Sequence, residues 1–130
     1  MSRIRSADTS LEMKVRRYLY AEGYRYRTGF RLRGRPDIVF PGRKIAVFVN
    51  GCFWHMHGCR LSSIPSTRRD FWEAKLTGNK IRDMNNVVML EKEGWKVVTI
   101  WECKIEDSLE KAILPLLKLL KREAVSDDNS

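Results

Sequence analysis

Cys52-Phe53-Trp54-His55-Met56-His57-Gly58-Cys59 brings two of the three cysteines and both histidines of this chain into eight residues. Thiolate and imidazole donors crowded in this way suit zinc, which takes four tetrahedral ligands of these types. The remaining cysteine, Cys103, ends the apolar run Val97-Val98-Thr99-Ile100-Trp101. The expected zinc set is therefore Cys52, His57, Cys59 and Cys103. His55 is left outside the metal shell, where an imidazole that titrates near neutral pH can serve as general acid or base. Beside it, Phe53 and Trp54 offer flat rings to a nucleic acid.

A second constellation lies upstream. Pro36-Asp37 opens a β-rich run, a turn follows, and the next run ends in the polar Asn50. Many metal-dependent nucleases use this skeleton, with the aspartate holding Mg²⁺ and groups at the end of the following strand completing the site. The usual acid and lysine one residue apart on that strand are replaced here by Phe48-Val49-Asn50. The other candidates for the site are Glu12, His55 and a main-chain carbonyl near Val49, since Mg²⁺ accepts carboxylate, carbonyl and water oxygens.

These residues need elements to place them. Thr9-Ser10-Leu11-Glu12 has the form of a capping box, so a helix is expected to start there, to bury Leu11, Val15, Tyr18 and Leu19, and to stop at Gly23. Asp37–Phe40 and Lys44–Val49 read as strands of a hairpin through Pro41-Gly42-Arg43. A polar loop, Leu61 to Arg69, leads to a long helix from Asp70 to Glu93 carrying Phe71, Leu76, Met84, Val88 and Leu90, with Gly78 as a point of interruption and Gly94 as its stop. A third strand runs from Trp95 to Trp101. A last amphipathic helix spans Ile105 to Lys121, with Pro115 as a kink or break. The order implies a small mixed sheet flanked by helices in one α/β domain, residues 1–123, with 124–130 as a disordered tail.

Composition narrows the partners. Lys and Arg total 25 against 16 Asp and Glu, giving +9 at pH 7, a field that attracts polyanions. Much of the charge falls in the amino-terminal half, at Lys14, Arg16 and Arg17 and then at Arg25, Arg27, Arg31, Arg33 and Arg35. No apolar run approaches the roughly 18 residues of a membrane span. The odd cysteine count without a secretory signal indicates a cytoplasmic protein with reduced thiols.

The combination Asp8-Thr9-Ser10-Leu11-Glu12, Gly34-Arg35-Pro36-Asp37, Phe48-Val49-Asn50-Gly51-Cys52-Phe53-Trp54-His55, Phe71-Trp72, Asn79 with Arg82-Asp83, and Gly94-Trp95 with Trp101-Glu102-Cys103 resembles the very-short-patch repair (Vsr-type) DNA mismatch endonucleases. The resemblance runs from Met1 to about Cys103 and implies a restriction-endonuclease-like fold related to PD-(D/E)xK enzymes, with one structural Zn²⁺ and a catalytic Mg²⁺. It implies a strand nick 5′ of the thymine in a T·G mismatch, as arises when 5-methylcytosine deaminates. A monomer acting on double-stranded DNA is expected, with mismatch-repair proteins as further partners.

Residue by residue, the resemblance makes Asp37 the metal-binding aspartate, with Val49 giving its main-chain carbonyl, His55 the essential histidine and Glu12 the amino-terminal acid. Cys52, His57, Cys59 and Cys103 match the zinc ligands. Phe53, Trp54 and Trp72 match rings wedged into the duplex, and Lys75, one helical turn after Trp72, is placed to donate to the wobble pair. Asp83 is a candidate to orient His55. Asn50 stands where the family has a second histidine; it can donate a hydrogen bond but cannot shuttle a proton. Met1 falls at an internal methionine of the family; the basic segment that precedes it there is expected to be missing, weakening binding or relaxing specificity, unless the true start lies upstream. Two alternatives stay open: a less selective or restriction-like nicking endonuclease, and a zinc-stabilised module that binds distorted DNA without cutting. Glu12 also reads as a capping residue and the aromatic rings as core.

Overall fold

The computed structural model describes residues 2–52 and 66–128. The first helix, α1, spans Ser2–Ala21. It starts well before the expected capping box, because Arg3 to Asp8 contains no glycine or proline to stop the helix propagating toward the amino terminus. Glu12 is thus a helix-interior residue, and its carboxylate accepts from Arg16 Nη1 at 3.3 Å. Leu11, Val15 and Leu19 form the buried stripe as expected. The helix ends at Gly23, whose φ of +95° lets its N–H reach the Tyr20 carbonyl at 3.0 Å while the Tyr24 N–H reaches that of Leu19 at 3.0 Å.

Strands β1 (Ile38–Phe40) and β2 (Ile45–Asn50) pair antiparallel through a 3-10 turn, Pro41–Arg43, with Ile38 opposite Val47 and Phe40 opposite Ile45. The Pro-Gly connection therefore makes the hairpin expected of it. Helix α2 (Arg69–Lys92) crosses over to β3 (Lys96–Trp101), which lies parallel to β2 with Asn50 beside Trp101. Among the described residues this gives a three-stranded mixed sheet in the order β1-β2-β3, the small α/β arrangement that the element order implied.

Alternation along the strands gives the sheet two faces. Ile38, Phe40, Ile45, Val47, Val49 and Ile100 pack with Leu11, Val15 and Leu19 of α1 in the main core. Phe48, Asn50, Thr99 and Trp101 point to the other side, toward α2. Each fully buried Leu, Ile or Val contributes about 1.5–3 kcal/mol, so the first face anchors the domain.

Two expectations about the helices are corrected. Gly78 does not interrupt α2. Of the apolar residues that this helix carries, Leu76 and Leu90 are buried, whereas Phe71, Met84 and Val88 are 46%, 59% and 49% exposed. Their positions do not share one stripe at 3.6 residues per turn. The carboxyl-terminal helix is also two helices, α3 (Glu102–Asp107) and α4 (Leu109–Asp128). The break is at Ser108, whose Oγ accepts the Lys111 N–H at 3.3 Å and so starts a new helix. Pro115 sits inside α4 without ending it; the missing backbone bond is offset by burial of Ile113, Leu116, Leu117 and Leu120. The stretch 124–130, expected to be a tail, begins within the span of α4.

Lys44 closes the α2 end of the sheet, a role with no sequence signal. Its Nζ donates to the Glu93 carbonyl at 2.9 Å and lies 5.6 Å from the Trp95 ring. A cation at a helix carboxyl terminus is favoured by the unsatisfied carbonyls there. Gly94, with φ +92°, makes the turn from α2 into β3.

Candidate functional site

Asp37 is delivered to the sheet by a tight turn. Gly34 and Arg35 both hold positive φ, +79° and +51°, and the Arg35 N–H bonds the Leu32 carbonyl at 3.0 Å. A Cβ on Gly34 would stand 3.1 Å from Asn86 Cβ, so the turn packs closely on α2 and needs glycine on both counts. Beyond buried Pro36, the Asp37 N–H donates to the Val47 carbonyl at 2.9 Å. Asp37 Oδ2 accepts the Val49 N–H at 2.7 Å, a short charge-assisted bond. The carbonyl of Val49 is three covalent bonds from that nitrogen, so the carboxylate and the second expected Mg²⁺ donor belong to one small locus.

The parallel register makes a second locus. Asn50 pairs with Trp101, so Cys52 and Cys103, each two residues further on, emerge side by side from β2 and β3. Both thiols are buried, and the Cys103 N–H donates to Cys52 Sγ at 3.4 Å. The Cys52 N–H donates in turn to Glu102 Oε1 at 3.1 Å, tying the end of β2 to the start of α3. Among the described residues no group of three or more His, Cys, Asp or Glu forms a metal-holding cluster. These two thiols are half of the expected donor set.

Between α2 and the outer sheet face lies a cleft of about 420 Å³, walled by Phe48, Asn50, Thr99 and Trp101 from the strands and by Lys80, Asp83, Met84, Asn86, Val87 and Val88 from the helix. The structure thus brings Asn50 and Asp83 to one cavity. Both are half-buried.

Residues 1–61 match the family model of the DNA mismatch endonuclease Vsr. The type II nicking enzyme V.XorIIP of Xanthomonas oryzae pv. oryzae is 44% identical over 108 residues, covering 82% of this chain and 79% of that protein. The type II nicking enzyme V.NmeAIP of Neisseria meningitidis is also 44% identical, covering 82% of this chain and 77% of its own. The DNA mismatch endonuclease Vsr of Escherichia coli is 37% identical over 106 residues, 81% of this chain and 68% of that protein. The chain belongs to the Vsr family.

In this Vsr-family chain the remaining candidates fall in three groups. Glu12 is partly buried on α1 beside Arg16. The Arg16 guanidinium holds its proton more tightly than usual because of its contact with the Tyr26 hydroxyl, against some loss from burial and with help from Glu12. Trp72 is half-buried on α2, edge-on to Phe71 at 5.4 Å, and Lys75 is exposed one turn later. Phe53, Trp54, His55, His57 and Cys59 lie outside the described residues. Sequence reasoning missed Glu102 as the carboxylate that receives the Cys52 amide, although Trp101-Glu102-Cys103 marked the place. It also missed Lys80 and Asn86, whose cleft position depends on how α2 meets the sheet. No helix among the described residues is long and apolar enough to cross a membrane.

Proposed function

We propose that this protein is a DNA endonuclease that nicks the thymine strand 5′ of T in a T·G mismatch, using Mg²⁺ at Asp37 and Val49 on a restriction-endonuclease-like, PD-(D/E)xK-related scaffold stapled by Zn²⁺. The observation that carries the reading is the Asp37 carboxylate held 2.7 Å from the Val49 amide in a chain of this family. A carboxylate and a main-chain carbonyl suit a hard, oxygen-seeking cation, and paired buried thiols suit zinc. Mg²⁺ bound there would supply charge neutralisation at the scissile phosphate and a water of lowered pKa.

The chain's own residues do the rest. Asp37 is positioned by the Val49 N–H, so its carboxylate does not swing when a phosphate approaches. His55 exchanges a proton at the reacting oxygen, oriented by Asp83, while Asn50 donates a hydrogen bond to the phosphate and Glu12 adds a carboxylate from α1. Phe53, Trp54 and Trp72 enter the stack at the mismatch, where unstacking is cheapest, and recover about 1–3 kcal/mol per stacked base. Lys75 donates to the wobble pair. His57 and Cys59 complete the zinc shell begun by Cys52 and Cys103. The Xanthomonas and Neisseria relatives are called nicking enzymes, which fits a single-strand cut.

Strand-resolved cleavage of T·G and C·G duplexes, with Mg²⁺ and with EDTA, tests this reading. Nicks confined to the thymine strand and abolished by EDTA are expected. Equal cutting of both duplexes replaces it with a less selective nuclease. Asp37→Ala is expected to lose the cut and keep DNA affinity. If the unsubstituted protein itself binds mismatches without cutting them, a recognition module replaces the endonuclease.

A further inference from the structure

The connection from α1 to β1 concentrates positive charge. Residues 24–36 carry Arg25, Arg27, Arg31, Arg33 and Arg35 and no acid. Burial alternates along it, with Tyr24, Tyr26, Phe30 and Leu32 half-buried and all five arginines exposed.

The inward residues are anchored. Tyr26 meets Phe40 edge-on at 6.4 Å and its hydroxyl donates to the Arg16 carbonyl at 3.3 Å. Phe30 packs on Trp95 at 6.3 Å. Arg27 exchanges both backbone bonds with Val39 at 2.9 Å, fastening the segment to the free edge of β1. The arginines therefore project from a fixed backbone.

Their pairing separates them from other cations of the molecule. Arg16 meets Glu12, Arg69 meets Glu73, Arg82 meets Asn79, and Lys44 caps Glu93. Arg25 stacks 3.9 Å over Tyr20 and reaches the Tyr24 carbonyl at 3.2 Å. The guanidinium groups of Arg27, Arg31, Arg33 and Arg35 have no acceptor among the described residues. Exposed guanidinium forks without carboxylate partners match the oxygens of a phosphate. The row ends two residues before Asp37, whose own charge repels a phosphodiester.

We propose that Arg25 to Arg35 form an arginine comb that grips successive backbone phosphates of duplex DNA and sets the strand against Asp37, independently of base sequence. The proposal rests on the endonuclease reading above. Contacts to phosphate position a protein on DNA without reading it, so the comb supplies affinity and register while the α2 side supplies selectivity.

The test is fluorescence anisotropy of the full chain on T·G and fully matched duplexes across a KCl series. R27Q/R31Q/R33Q is compared with a control of equal charge change on α4, K118Q/K121Q/R122Q. In the comb variant the slope of log affinity against log salt is expected to fall by about 0.9 for each phosphate that the protein no longer neutralises, and affinity for both duplexes is expected to drop by the same factor. The α4 control is expected to change much less. Equal effects in the two triples would reduce the comb to net charge, and a weakening confined to the T·G duplex would make it a base reader; either overturns the proposal. If the triple unfolds early, R31Q and R33Q singly replace it, each expected to lower the slope by about 0.9. A native protein that binds neither duplex refutes the DNA reading itself, an outcome distinct from native binding that the comb variants leave untouched.

Discussion

The two faces of the sheet are built from the same strands for opposite purposes. On the α1 side, Ile38, Ile45, Val47 and Val49 are at most 4% exposed and pack into a dry aliphatic core. On the α2 side, Phe48, Asn50, Thr99 and Trp101 border a cleft shared with Asp83 and Lys80. Val49 faces the core while its neighbours on either side face the cleft. Its amide nevertheless fixes Asp37. One face thus holds the strands rigid so that the other can carry polar groups and open space. The division teaches that stability and chemistry are separable by residue parity along β2.

Substitutions on either side of that division should have effects of different size. The largest is expected where both faces end, at the paired thiols. Cys103→Ser should lower zinc content and cost more than about 4 kcal/mol, as loss of a structural metal does, read by metal analysis and thermal unfolding. Full zinc stoichiometry in that variant would refute the ligand set and leave the strand ends held by register alone. On the dry face, Leu19→Ala should cost about 2–5 kcal/mol in urea unfolding without changing cleavage per folded molecule. A fall in specific activity would mean that the core face is not separate from the site. Lys44→Met removes the cap on the Glu93 carbonyl and should cost about 0.5–1.5 kcal/mol, sharpening how much of α2's placement depends on that one bond. Met84→Gln, on the 59% exposed side chain, should stay within about 0.5 kcal/mol in the same measurement. A larger destabilisation would show that the α2 side of the cleft is packed like the core.

Local signals were legible and acted as read. Gly23 and Gly94 stop their helices through positive φ, and Pro41-Gly42 makes the hairpin turn. Leu11, Val15 and Leu19 fall on one stripe at helical spacing and are buried. The misreadings came where two local signals competed. Thr9 to Glu12 looked like a helix start, yet nothing upstream breaks the helix, and Glu12 pairs with Arg16 instead. Pro115 looked like the break in the last helix, yet Ser108 supplies a cap that begins α4, and burial of four aliphatic residues carries the helix past the proline. In α2 the apolar residues spread around the axis, so periodicity could not say which would meet the sheet.

By itself the sequence determined the three strands, the hairpin turn, the helix stops at Gly23 and Gly94, the basic charge and the donor types, because stops, turns and strand runs are settled by nearest neighbours. Tertiary structure alone decided which distant groups meet. Cys52 and Cys103 are separated by 51 positions in the chain and come together only because β2 and β3 pair in parallel. Asp37 finds the Val49 amide through the hairpin register, and Asn50 shares a cleft with Asp83 through the crossover of α2. Register is a collective property: a slip of one residue would turn every side chain of a strand to the opposite face, so burial of the whole aliphatic face, rather than any residue in the site, places the chemistry.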